Sequence, residues 1–261
     1  MRQIVLLKDI PDLTEIKVDP ETRAPRLEGA KRRISDLDKR ALEAALRIKE
    51  AAGGEVVALS VGDERTKTTM LEALAMGADA AYVVDDSSLR GLDANATSLV
   101  LEAAVRKIGE FDLIVAGEMT LDSLGSQVGP RLAELLDLPQ LTYAREALVE
   151  GVKVRAVRDL EDVDEVAEAY LPALVTVVRE INEPRIPSLM NIMKAKKKPL
   201  TVWTAVDLGL DPAEVQAASY VKIIGVTAPK VERKQIRVEA ETVEEAAAKL
   251  VEHLVEEGVL R

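Results

Sequence analysis

The stretch Gly117–Pro130, GEMTLDSLGSQVGP, has the residue types best suited to hold a ligand. It follows an apolar run, Asp112–Ala116, and precedes a helical pattern, Arg131–Leu138, so it reads as a strand, a glycine-punctuated loop and a helix start. Gly117 allows a tight turn as the strand ends. Ser126 is spaced to cap the helix, with the N–H groups of Gln127, Val128 and Gly129 facing outward. Pro130 fits the first turn, where its missing N–H costs nothing. An anion at that helix start gains about 0.3–2 kcal/mol from the dipole. Gly129 removes a side chain that would block an approaching phosphate. Asp122 would repel a phosphate and suits instead a ribose or base N–H, or a brace within the loop. The stretch lacks Lys and matches neither phosphate-binding glycine motif, G-x-G-x-x-G or G-x-x-x-x-G-K-[ST]. A helix cap with no ligand accounts for the same residues.

Other chemistry is scarce. There is no cysteine, which excludes thiol nucleophiles, disulfides, iron–sulfur ligation and cysteine-based zinc sites. The single histidine, His253, falls in an acidic helical pattern, VEEAAAKLVEHLVEEG, and reads as an exposed helix residue. No nucleophile elbow stands ready to pair with it. The carboxylates read as solvated helix faces, so no catalytic side chain and no metal ligand set is assigned.

The elements that must position the loop are legible upstream. Short apolar runs, QIVLL, EVVALSVG, AAYVV and DLIVAG, alternate with helical patterns, the first of which starts at Ser35 or Asp36 and ends at Gly53-Gly54. That alternation predicts an α/β fold with a parallel sheet and crossover helices. Ligands of such sheets bind outside the carboxyl ends of the strands. Leu6–Asp9 closes the first strand, Ser60-Val61-Gly62 closes the second, and Ser35–Asp38 opens the first helix. After Pro139, Val-rich runs around Glu150-Gly151 predict a hairpin and further strands added to the sheet. The segment NEPRIPSLMNIMKAKKKPL then breaks every period. Residues 200–261 read as an extended arm and a final amphipathic helix without a core of their own, so the domain division is 1–199, including a loop at 182–199, and 200–261.

Composition sets outer bounds. In 261 residues, 48% are apolar and only 2% aromatic, so the core is Val, Ile, Leu and Ala, as suits a buried parallel sheet. A net charge of −11 argues against nucleic acid. No apolar run approaches a membrane span of about 20 residues, and the N-terminal run is too short for a secretory signal, which predicts a cytoplasmic protein. Abundant Glu, Lys and Arg without Cys point to a thermophile.

At this point the chain resembles the electron-transfer flavoprotein β subunit. INEPRIPSLMNIMKAKKKP (181–199) looks like that family's signature loop, and ALAMGAD (73–79) and GEMTLDSLGSQVGP follow in the expected order and spacing. The resemblance implies an adenine-nucleotide-binding, Rossmann-like domain of the nucleotide α-hydrolase-like kind, an added antiparallel portion, and a C-terminal arm packed on a larger α subunit. It implies AMP as a structural ligand in ordinary members and FAD in electron-bifurcating members, where NADH is the electron donor. Nucleotide contacts carried over by position are Leu6, Asp9, Ser35, Asp36, Leu37, Asp38, Val61, Gly62, Gly117, Thr120, Asp122, Ser126, Gln127, Val128 and Gly129. LLKDIPD and SQVGP look like the bifurcating subgroup; AMP-binding members tend to have NQTG, whose Thr hydroxyl can hold a monophosphate where Val cannot. Ser35-Asp36 departs from the family's frequent Asn-Pro.

The same resemblance implies docking of a flavin dehydrogenase or quinone oxidoreductase through Leu189 and Met190. Lys194, Lys196, Lys197 and Lys198 would steer an acidic partner, and Asp159 would pair with an Arg of the α subunit. Ferredoxin or flavodoxin would be the low-potential acceptor, and any membrane association would run through partners. Two other readings stand beside this one: a β subunit that holds AMP and does no chemistry, and a free-standing adenine-nucleotide sensor.

Overall fold

In the computed structural model, residues 1–230 and 234–260 are described. The chain forms β1 (Arg2–Leu6), β2 (Asp9–Pro11), β3 (Lys17–Val18), β4 (Pro25–Arg26), β5 (Arg32–Ile34), α1 (Asp36–Ala52), β6 (Glu55–Gly62), α2 (Thr66–Met76), β7 (Ala80–Asp85), α3 (Ala94–Ile108), β8 (Leu113–Gly117) and α4 (Val128–Leu135). It continues through β9 (Gln140–Glu150), β10 (Lys153–Leu160), β11 (Val163–Tyr170), β12 (Ala173–Val177), α5 (Leu189–Ala195), β13 (Leu200–Trp203), α6 (Pro212–Ala217) and α7 (Val243–Glu256). Nine strands make one sheet in the order β11-β10-β9-β12-β8-β1-β6-β7-β13. From β9 through β13 in that order the pairs are parallel; β10 and β11 add an antiparallel meander at one edge.

Alternation along the strands sends side chains to two cores. Val5, Ala58, Val83, Val115 and Val175 pack with α1 and α2 on one face. Ile4, Leu59, Val84, Ile114 and Leu174 pack with α3, α4 and α6 on the other. Helices thus cover both faces, which a mostly parallel sheet requires. The chain moves outward from β1 to β6 and β7, then returns to β8 on the other side of β1. The switch point, where a doubly wound sheet opens a crevice, lies between the carboxyl ends of β1 and β8. The hairpin expected around Glu150-Gly151 joins β9 to β10, with Gly151 at φ 62° in the turn.

Two expectations change. The segment 182–199 contains a short helix: Pro184 and Pro187 lie before its start, where they are tolerated, and Ser188 Oγ accepts the Asn191 N–H at 3.3 Å as its cap. The arm does not begin at residue 200. Leu200–Trp203 extends the main sheet beside β7, and Val215 of α6 is buried against the α3 side. Freely exposed chain starts near Tyr220, and Ala228 N–H donates to the Arg23 carbonyl at 2.8 Å. The arm expected to 261 also includes residues 231–233 and 261, which lie outside the described residues. α7 buries none of its side chains.

Candidate functional site

The crevice is built by three chain segments that meet at the ends of β1 and β8. Ser35 occupies the N-cap position of α1, but its hydroxyl accepts the Leu121 N–H at 3.3 Å rather than an N–H of its own helix. Asp38, one turn in, accepts the Lys8 N–H at 2.8 Å and the Gly117 N–H at 3.2 Å. Gly117 is required by this packing, since a Cβ there would stand 2.5 Å from Asp38 Oδ1 and 2.9 Å from its backbone nitrogen. Asp122 pairs with the Lys8 ammonium at 2.8 Å, which makes it the loop brace and cancels the charge that would repel a phosphate. Among the residues expected at the site, these contacts bring Ser35, Asp38, Gly117 and Asp122 together.

The rest of the loop differs from expectation in a useful way. Ser126 does not cap α4. Its φ of 49° directs Oγ to Glu118, with which it hydrogen-bonds. Gln127 holds the N-cap position and gives no side-chain cap; its Oε1 accepts from Arg131 Nε at 3.2 Å. The first-turn N–H groups of α4 therefore have no side-chain acceptor among the described residues. Gly129 serves packing: a Cβ would sit 2.7 Å from Thr176 Cγ2, so its missing side chain lets α4 approach β12 and does not clear a path for phosphate. Leu124 and Ser126, at φ 50° and 49°, hold left-handed backbone that costs roughly 1–2 kcal/mol each. Thr120 Oγ1 bonds Ser123 Oγ at 2.9 Å and closes the turn.

The remaining expected residues lie around this centre. Leu6 is buried at the end of β1. Asp9 is buried too, with its carboxylate accepting from Thr69 Oγ1 at 2.6 Å and Arg32 Nε at 2.7 Å, which braces β2. Val61 and Gly62 end β6 beyond Leu59, the register partner of Leu6; the Gly62 carbonyl accepts from Arg90. Ser60 Oγ, at the same strand end, is a buried hydroxyl without a partner among the described residues. Asp36 pairs with Arg33. Asp36 and Leu37 also line a cleft of about 680 Å³, bounded by Arg40, Glu118, Met119 and Leu121 on one side and Val178–Glu180, Glu183 and Pro184 on the other.

Three partners were missed from sequence: Lys8, Arg90 and Arg131. Arg131 Nη1 donates to Asn95 Oδ1 at 3.0 Å, and Asn95 Nδ2 donates to the Ala218 carbonyl. Asp93 accepts the N–H groups of Tyr220 and Val221 at 2.8 and 2.9 Å. The root of the arm is therefore pinned beside the start of α4. The only sequence signal was Lys8 directly after the first strand.

The expected docking residues lie apart from the crevice. Leu189 and Met190 are exposed on α5, which packs on α2 through the buried Ala195. Lys198 is not a steering charge. Its ammonium donates to the carbonyls of Leu74 and Ala78 at 2.9 and 2.6 Å, satisfying the carboxyl end of α2, and burial pushes its pKa down. Asp159 is exposed on β10 opposite Asp164 of β11. Among the described residues no cluster of acidic or histidine side chains could hold a metal ion, and no helix is long and apolar enough to cross a membrane.

Residues 27–208 match the family described as electron transfer flavoprotein domain. The chain is 38% identical over 256 residues to the electron transfer flavoprotein subunit beta of Thermoanaerobacterium thermosaccharolyticum, covering 97% of this chain and 98% of that one. It is 37% identical over 262 residues to the caffeyl-CoA reductase-Etf complex subunit CarD of Acetobacterium woodii, covering 100% of both. Identity to the electron transfer flavoprotein subunit beta of Clostridium acetobutylicum is 36% over 257 residues, 98% of this chain and 99% of that one.

Proposed function

This chain belongs to the electron transfer flavoprotein β-subunit family, and from that premise we propose that it binds FAD at the carboxyl ends of β1, β6 and β8 and works, with an α subunit, in NADH-dependent electron bifurcation. The observation that carries this reading is the cleft of about 680 Å³ lined by the start of α1, the loop after β8 and the segment that follows β12. It is within the range of pockets that enclose whole cofactors. Full-length likeness to a subunit of a reductase–Etf complex supports it further.

The residues present fit such a group. The uncapped N–H groups of Val128 and Gly129 would hold the diphosphate. The Ser60 hydroxyl, buried and without a partner, would gain one at the β6 end. Leu37, Met119 and Leu121 offer apolar surface along the cleft, with Arg40 beside them. When bound, FAD supplies the acceptance of a hydride from NADH and the division of its electron pair between a higher-potential and a lower-potential acceptor; the protein supplies binding, orientation and exclusion of water. Leu189 and Met190 would dock a flavin dehydrogenase, Asp159 would face the α subunit, and ferredoxin or flavodoxin would take the low-potential electron.

The test is to purify the chain with its α subunit, release the cofactors and count them. Two FAD per heterodimer is the expected result. One FAD and one AMP would replace this reading with that of a structural nucleotide subunit.

A further inference from the structure

Asp38 is 4% exposed, and both carboxylate oxygens are occupied by backbone N–H groups. One N–H belongs to Lys8, just past the end of β1; the other belongs to Gly117, the last residue of β8. These strands are neighbours at the switch point, and the two bonds fix their ends to the first turn of α1. Lys8 is held at both ends by acids, its N–H by Asp38 and its ammonium by Asp122 at 2.8 Å. Asp38 thereby reaches the 118–127 loop along two routes, through Gly117 and through Lys8–Asp122. Asp38 does not line the cleft, whose lining includes its neighbours Asp36 and Leu37.

We propose that Asp38 is a positioning residue of the nucleotide site: without touching the nucleotide, it fixes the ends of β1 and β8 and the loop between β8 and α4, and so sets where the α4 N–H groups meet the diphosphate. This rests on the nucleotide reading above and assigns Asp38 a different role from the direct contact that family resemblance implies. Among the described residues the charged groups that act on it most are Lys8 from the β1 end and Asp122 from the loop; on its own helix Asp36 is paired to Arg33, and at the β8 end Glu118 bonds Ser126. Burial pushes the Asp38 carboxyl up to about 7, against the pull of the two N–H groups and the Lys8 charge. The ionised group accepts both N–H bonds. The protonated group turns a donor toward one of them and gives up that bond. The clamp is therefore complete above neutral pH and weakened below it.

The experiment titrates FAD, whose diphosphate does not change charge between pH 6 and 8, into the full nucleotide-stripped chain, in the wild type and in Asp38→Asn. Wild-type affinity should fall several-fold from pH 8 to pH 6. An amide offers one acceptor, so Asp38→Asn should bind roughly tenfold more weakly at pH 8, as expected for one lost bond to a charged group, with a flat pH profile. Amide exchange in the wild type gives a second readout: protection of the Lys8 and Gly117 N–H groups should drop at pH 6 relative to strand-interior amides. Wild-type affinity and pH dependence in Asp38→Asn, or unchanged protection of the two amides, would overturn the proposal. A wild type that binds FAD at no pH would overturn the nucleotide reading and this proposal with it.

Discussion

Helix α1 carries two buried carboxylates that are satisfied in opposite ways. At its amino end Asp38 is held by neutral backbone N–H groups, and burial pushes it up to about 7. Near its middle Glu43 is 3% exposed and clamped by two guanidinium groups: Arg185 Nε at 2.7 Å and Nη2 at 3.2 Å, and Arg47 Nε at 2.8 Å. Burial would push Glu43 up as well, but the bonds from Arg185 and Arg47 outweigh it and hold the carboxyl below its usual range. Glu43 fastens the strap at 182–185 to the helix, helped by Asn182 Nδ2 donating to the Arg40 carbonyl at 3.0 Å and by Arg185 Nη1 on Glu50 at 2.6 Å. The strap is locked by charge and feeds the exposed helix α5. The crevice is held by a carboxylate left close to its titration point. A buried acid paired with Arg is scaffold that stays charged; one paired only with N–H groups can change state near neutral pH.

The contrast breaks most easily at the strap. Arg185→Ala strands Glu43 with one exposed partner, Arg47, and removes the Glu50 bond. The expected loss is about 2–3 kcal/mol, read as a lower midpoint in urea, because breaking a buried pair leaves an uncompensated charge. Since Glu43 is depressed in the folded chain, its contribution is present above the unfolded carboxylate range and lost as pH falls through the folded value. Wild type and variant should therefore converge in acid. At the crevice the largest effect comes from Gly117→Ala, whose Cβ would meet Asp38 Oδ1 at 2.5 Å and force β8 and α1 apart. About 1–3 kcal/mol should be lost, together with bound nucleotide. Gly125→Ala, eight residues on, has only Ser123 Oγ at 4.0 Å to meet and should leave stability unchanged.

A smaller and pH-dependent effect separates the two acids. Asp38 is raised in the folded chain, so its stabilising contribution is full below the unfolded carboxylate range and is lost as pH rises through about 7. That is the reverse of Glu43. From pH 5 to pH 8 the wild type should lose more stability than Asp38→Asn, measured as the change in urea midpoint for each. Equal changes would show that Asp38 is not charging in the folded state. The proposed nucleotide binding and folding thus call for opposite forms of the same side chain, a conflict expected at functional sites more than in scaffold.

The sheet was legible because apolar runs and glycine stops are local. QIVLL, EVVALSVG, AAYVV and DLIVAG each became a strand of the parallel core, and Glu150-Gly151 marked the hairpin. β13 was missed because its four residues make sense only beside β7, more than a hundred positions upstream. Ser126 was misread because its residue type suits a cap while its left-handed backbone aims it elsewhere, and residue type does not reveal φ. Lys198 could not be told from its basic neighbours, since its acceptors are the carbonyls of Leu74 and Ala78. The nucleotide role of Asp38 comes from the family resemblance alone, whereas its bonds in the structure are to the Lys8 and Gly117 backbone N–H groups, which every residue but proline carries and no motif displays.

The smallest stability effect is expected where the strap ends. Ile186, Leu189, Met190 and Met193 are 93%, 75%, 62% and 67% exposed, apolar side chains on α5 and just before it, on a helix whose buried residue is Ala195. A soluble chain rarely leaves such a contiguous patch uncovered unless another surface meets it, and the Arg185–Glu43 lock immediately before it limits the ordering cost of that meeting. Leu189→Ala removes contacts only a partner can make. Its urea midpoint should stay within experimental error of the wild type, since exposed substitutions usually change stability by about 0.5 kcal/mol or less. Flavin content should also hold, while electron transfer with the partner dehydrogenase slows by roughly tenfold, the size of a modest interface hot spot. Arg185→Ala should slow the same transfer through a loosened strap, but with the stability loss that Leu189→Ala lacks. If Leu189→Ala transfers electrons at the wild-type rate, the exposed helix is not the docking surface, and the lock on Glu43 holds the strap for the fold alone.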